Sequence, residues 1–197
     1  FDKKGLMILY TAPWPGQGFY TKFPVNSVSD FSGKKLRIYS TATQQMGSML
    51  GFNATILPFA EIPQAFSTGL IEALFTSPQT GIDIQAWDNT KHFTYAGAIF
   101  SKNAVVVTKK AFNALSKGDQ SNMLAAAKKA ELRGWEMSAE TTKKQIGILK
   151  KNGMSSKNAP DEVISKMKSI GLEMMKNWRS KASPEANAVL DRYLSMR

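Results

Sequence analysis

Cysteine is absent from the 197 residues. That excludes disulfides, thiolate zinc sites and cysteine nucleophiles, and it fits an oxidising compartment. Histidine is almost as scarce: His92 stands alone, between Lys91 and Phe93. With no patterned acid or nucleophile around it, and no Glu/Asp/His spacing of a hydrolytic metal site, no enzyme, cofactor or metal is expected. Asp83 and Asp88 flank Trp87 and read as capping and solvated positions. No apolar run approaches the roughly 20 residues of a membrane helix. The chain opens Phe1-Asp2-Lys3-Lys4 without an initiator Met or a signal-peptide apolar region, so either an export signal has been removed or this is an excised piece. Gly16-Gln17-Gly18 is only a fragment of a phosphate-binding fingerprint, with no third glycine at the required spacing. Internal repeats and low-complexity linkers are also missing.

What is present is an uneven positive charge. Residues 1–100 carry seven Lys or Arg against six Asp or Glu, whereas residues 101–197 carry nineteen against nine. A basic helical half raises the alternative of an interaction module for an acidic protein or nucleic acid. However, the lysines come in scattered pairs (Lys109-Lys110, Lys128-Lys129, Lys143-Lys144, Lys150-Lys151) without interleaved aromatics. They read as solvated helix faces, and no nucleic-acid partner is expected.

The stretch Asp30–Ser40 organises the rest. Asp30 to Gly33 reads as a turn and Lys35–Tyr39 as a strand. Thr41–Leu50 then reads as a helix, capped by Ser40 or Thr41 and stopped by Gly51. Arg37 therefore sits beside a helix start, where ligands of open α/β sheets bind and where a guanidinium can grip a carboxylate through two parallel hydrogen bonds. Upstream, Gly5–Tyr10 reads as a buried strand and Phe19–Phe23 as an extended piece that Pro24 confines to an edge. Downstream come a strand at Ala54–Leu57, a helix at Ala60–Thr68, a strand at Ile71–Phe75 and a helix near Gln79–Trp87. Two further strands follow at Phe93–Ile99 and Ala104–Thr108. The alternation predicts an α/β lobe with a parallel or mixed sheet. Beyond Lys109 the pattern is helical. Leu132, Trp135, Ala139, Thr142, Ile146 and Leu149 form one expected buried stripe, with Gly134 a candidate kink. Val163, Met167, Ile170, Met174 and Trp178 form another. A last helix restarts at Ser183-Pro184-Glu185.

Three pieces of this sequence resemble the substrate-binding proteins of tripartite ATP-independent periplasmic (TRAP) transporters, the DctP-like family. They are Asp30-Phe31-Ser32-Gly33-Lys34-Lys35-Leu36-Arg37-Ile38, then Leu57-Pro58-Phe59-Ala60-Glu61-Ile62 leading to Phe66–Glu72, and later Ala104–Thr108 with Lys109–Gln120. The resemblance implies a periplasmic-binding-protein-like lobe, α/β with a mixed sheet flanked by helices and followed by long C-terminal helices. It implies three parts: an α/β ligand-binding lobe at residues 1–102, a crossover strand and helix at 103–142, and a helical segment at 143–197 packing on the lobes. Relatives carry a further N-terminal stretch supplying most of a first lobe. A truncated chain is therefore expected to expose apolar surface and to self-associate.

By this resemblance the protein is a periplasmic receptor that binds a small organic acid and delivers it to the membrane subunits of a TRAP permease. The ligand-anchoring Arg of the family falls on Arg37, and the cleft-lining aromatic of the Pro-Phe-x-Glu motif falls on Phe59. Where relatives carry an Asn-Pro pair, Thr76 and Ser77 precede Pro78. Where relatives carry Pro and Asn after the Arg strand, Tyr39 and Ser40 stand. The expected site is therefore Arg37 with Ser40, Thr41, Thr76 and Ser77 as donors, and Phe59, Phe75 and Trp87 as walls. Phe75, standing where many relatives are polar, suggests a ligand tail more apolar than that of a sugar acid.

Overall fold

A computed structural model describes residues 1–196, apart from the side chain of Ala139. Its centre is a six-stranded mixed sheet in the order β4-β3-β5-β2-β6-β8. The strands are β2 (Gln17–Thr21), β3 (Lys35–Ile38), β4 (Asn53–Ile56), β5 (Ala73–Thr76), β6 (His92–Ala98) and β8 (Ser155–Asn158). β3 runs parallel to β4 and β5, β2 is antiparallel to β5 and β6, and β8 is parallel to β6. β1 (Leu6–Pro13) and β7 (Lys102–Thr108) stay out of this sheet and pair with each other in an antiparallel ribbon. The α/β class with a mixed sheet and long C-terminal helices is as expected.

One expectation fails in an informative way. β2 is not an edge strand: it lies between β5 and β6, and all five of its residues are buried. Pro24 falls beyond its end and takes no hydrogen bond from the ladder. Gly18, the second residue of the strand, also has a structural explanation. A Cβ on Gly18 would lie 2.5 Å from Thr94 O and 2.9 Å from the Phe93 ring. The β2–β6 register also shifts beside it, between Gln17 and Gly18, where β6 carries a bulge before pairing resumes at Ala98. Gly18→Ala should therefore lower stability by about 1–3 kcal/mol, read as a shift of the urea midpoint at unchanged slope.

Side chains alternate across each strand, so the sheet has two cores. On one face Phe19, Phe31, Leu36, Ile38 and Phe75 meet α1 (Thr41–Met49) and α6 (Asp161–Arg179) through Met46, Val163, Met167 and Ile170. On the other, Tyr20, Leu74 and Phe93 meet α2 (Ile62–Ser67) and the C-terminal part of α5 (Lys117–Lys151) through Ile62, Phe66 and Leu149. α3 (Pro78–Asp83) closes on Tyr20 so tightly that a Cβ on Gly81 would lie 2.0 Å from the phenol oxygen.

α5 runs without interruption through Gly134, which faces Pro13 of β1. The expected apolar stripe along it divides in two. Leu149 is fully buried and Ile146 packs on the second core, but Leu132 and Trp135 are half or more exposed. That half of the helix lies along the narrow ribbon, where Glu131 accepts from Thr11 N and Oγ1 at 2.9 and 2.7 Å. The ribbon and its helix also expose Ile8, Val106, Leu124 and Met137. On α6 the stripe holds from Val163 to Ile170, whereas Trp178 is half exposed. The short α4 (Lys109–Asn113) and the terminal α7 (Pro184–Leu194) complete the chain, with Arg179 of α6 paired to Asp191 of α7 at 2.6 Å.

The turn into β3 is built by an acid. Asp30 Oδ2 accepts from Asn26 N at 2.7 Å and from Ser27 N at 2.9 Å, and these backbone bonds hold its pKa below the ordinary 3.8. A lowered carboxylate contributes stability above its unfolded pKa and loses it as pH falls through the folded value. Asp30→Asn should thus be less stable than the parent at pH 6, with the gap closing below about pH 4; urea unfolding at stepped pH measures it.

Candidate functional site

β3, β4 and β5 are parallel, so their C-terminal ends share one edge, and the antiparallel β2 brings its first residue to the same edge. Crevices outside such strand ends are the usual ligand positions of open α/β sheets. A cleft of about 260 Å³ lies there, lined by Trp14, Gln17, Arg37, Tyr39, Phe59, Thr76, Ser77, Thr80, Ser101 and Asn103. Its residues come from the end of β3, the turn after β4, the end of β5 with the start of α3, the start of β2 and the two chain crossings that link sheet to ribbon. At those crossings Trp14 N donates to Ser101 O at 2.8 Å.

Arg37 is the single charged side chain in this lining and is only 5% exposed. Its Nε donates to Leu57 O at 3.0 Å, which orients the guanidinium. Its Cζ lies 6.0 Å from the centre of the Tyr39 ring. Burial pulls its pKa down from the ordinary value, partly offset by Tyr39, yet an arginine remains charged. Among the described residues no carboxylate pairs with it. Tyr39 Oη accepts from Gln17 Nε2 at 2.9 Å and donates to Gln17 Oε1 at 3.0 Å. Burial raises the phenol's pKa.

Of the eight residues expected from the sequence, four line this cleft: Arg37, Phe59, Thr76 and Ser77. Phe59 is 53% exposed at the rim. Thr76 is nearly buried, and Ser77 Oγ accepts from Thr80 N at 3.2 Å as the cap of α3. The other four lie elsewhere. Phe75 is fully buried on the opposite sheet face, its ring 4.8 Å from Phe19, because adjacent strand residues point to opposite sides. Trp87 packs on the second core. Ser40 Oγ is spent on Thr43 N at 3.2 Å and lines a neighbouring groove, and Thr41 is exposed outside the cleft. Sequence reasoning missed Trp14, Gln17, Tyr39, Thr80, Ser101 and Asn103. For Gln17 the signal was present, since the flanking glycines mark a close backbone approach.

The architecture is a mixed α/β sheet flanked by helices, with a buried cation at the ends of its parallel strands. A family model, DctP, bacterial extracellular solute-binding protein family 7, matches residues 1–181, and the chain belongs to this family. Two Bordetella pertussis extracytoplasmic solute receptors binding pyroglutamic acid are similar to it, at 39% and 34% identity and TM-scores of 0.94 and 0.93. A marine metagenome TRAP solute binding protein specific for pyroglutamate is similar at 33% identity and a TM-score of 0.91. Each alignment covers 98% of this chain and 64% of the other, so the chain spans just under two thirds of the length of these relatives. Among the described residues no helix is long and apolar enough to cross a membrane.

Proposed function

We propose that the chain forms the anion-holding part of a periplasmic TRAP receptor, which binds a compact carboxylic acid through Arg37 and hands it to a membrane permease. The observation that carries this reading is Arg37 itself, a guanidinium 5% exposed, fixed on Leu57 O and facing a cleft with no acidic partner among the described residues. A buried cation without a counter-ion is costly, and a ligand carboxylate supplies that counter-ion through two charge-assisted hydrogen bonds. Thr76 and Asn103 offer a hydroxyl and a carboxamide to the rest of the ligand, and Phe59 covers it from the rim.

Pyroglutamate is the acid favoured here, because three structures at 33–39% identity are described by it and because the cleft is small. A tail more apolar than that of a sugar acid has lost its support, since Phe75 faces the opposite core. Isothermal titration of the receptor at its native length with pyroglutamate tests the reading. Binding should survive a rise from about 50 to 200 mM salt, over which polyanion binding by a basic surface falls by orders of magnitude. Failure to bind pyroglutamate or any other small carboxylate, with tight salt-sensitive binding to polyanions instead, would overturn it.

A further inference from the structure

The Arg37 cleft has a neighbour. A groove of about 720 Å³ lies between α1, α6 and the end of β6, floored by Met46, Ala98, Ile164, Met167, Ile170 and Met174. Tyr39 and Ser101 line both hollows and so form the wall between them. That wall is held by Gln17, which lines the cleft beside it. Gln17 is 3% exposed, and its carboxamide exchanges hydrogen bonds with Tyr39 Oη while its Nε2 lies 3.4 Å from Ser101 Oγ. From the cleft side the Tyr39 ring lies beside the guanidinium, 6.0 Å from its Cζ, a favourable placement for a cation near an aromatic face.

We propose that Tyr39, latched by Gln17, is the length filter of the ligand site: it ends the cleft beside Arg37 and keeps the tails of longer acids out of the apolar groove. The inference rests on Arg37 holding a carboxylate. At about 260 Å³ the cleft is smaller than most small-molecule sites, which start near 300 Å³. An unbranched tail running from Arg37 towards the methionines of the groove has to pass the wall at Tyr39, whereas a compact ring acid need not leave the cleft. The excluded class is therefore monocarboxylates with straight apolar tails. These are the acids for which the groove beyond is chemically suited.

The test is calorimetric titration of the native-length receptor with pyroglutamate, butanoate, hexanoate and octanoate, for the parent, Tyr39→Ala, Tyr39→Phe and Arg37→Ala. Circular dichroism confirms that each variant is folded. In the parent, affinity should stay flat along the alkyl series. In Tyr39→Ala it should climb with chain length, by up to about fourfold per methylene that enters the groove. Tyr39→Phe keeps the ring and loses the latch, so its slope should fall between the two, and it serves if Tyr39→Ala does not fold. A merely structural role for Tyr39 would lower affinity for every acid without creating a slope. A flat series in the folded variants overturns the filter, as does a parent whose affinity already climbs. If Arg37→Ala leaves pyroglutamate binding unchanged, the anchor reading fails, and the filter falls with it.

Discussion

Arg37→Ala should weaken pyroglutamate binding by about 10²–10⁴-fold while leaving the fold intact. The figure follows from losing two hydrogen bonds to a charged group, each contributing roughly 1.5–3 kcal/mol, at about 1.4 kcal/mol per factor of ten. The fold should tolerate the change because Arg37 gives the protein one hydrogen bond, to Leu57 O, and no ion pair among the described residues. Removing a buried charge without a counter-ion also removes its desolvation cost. The variant should then be no less stable than the parent without ligand, and less stable with it. Arg37→Lys should recover little. An ammonium carries the charge but not the planar fork, and it cannot bond Leu57 O from the Nε position while presenting two donors to a carboxylate. Calorimetry gives the affinity, and thermal melting with and without ligand separates binding from folding.

The second large effect concerns stability. Phe19→Ala should destabilise the protein by roughly 3–5 kcal/mol, about 6–20 °C in Tm for a chain of this size. Phe19 is fully buried in an inner strand of the sheet, and its ring lies 4.8 Å from Phe31, 4.8 Å from Phe75 and 5.8 Å from Phe52. Four rings converge there from three strands or turns and one loop, so deletion leaves a cavity whose walls cannot all relax into it. The loss is a large part of the roughly 5–15 kcal/mol that holds a domain together. Since Phe19 faces away from the cleft, the fraction that remains folded should still bind through Arg37. Denaturant melts and ligand titration on the same sample distinguish the two effects.

The parts of the structure legible in the sequence are those whose determinants are local. β3 and α1 were expected at Lys35–Tyr39 and Thr41–Leu50 and occur at Lys35–Ile38 and Thr41–Met49, because the Ser40 cap and the Gly51 stop lie within a few residues of the ends they set. Strand order was not legible. Pro24 beside Phe23 argued for an edge, yet β2 stops before the proline and is paired on both sides. β8 was missed altogether: Ser155-Ser156-Lys157-Asn158 has no apolar alternation, and it is a strand only because β6 offers it an edge. The Leu132–Trp135 segment shows another limit, since periodicity defines a stripe but not the surface that covers it.

The site divides the same way. Arg37, Phe59, Thr76 and Ser77, which line the cleft, each lie in a short motif beside a strand end. Gln17, Tyr39 and Ser101 meet only because three separate segments reach one edge of the sheet. Phe75 was misplaced although the two-residue repeat of a strand already opposes it to Thr76, which sits on the cleft face.

The most direct measurement is a crystal structure of the native-length receptor with pyroglutamate bound. The account predicts the ligand carboxylate opposite Arg37, each oxygen about 2.7–2.9 Å from a guanidinium nitrogen, with Tyr39 closing the cleft beside it. A ligand whose carboxylate is held elsewhere, with Arg37 touching only protein, would contradict it.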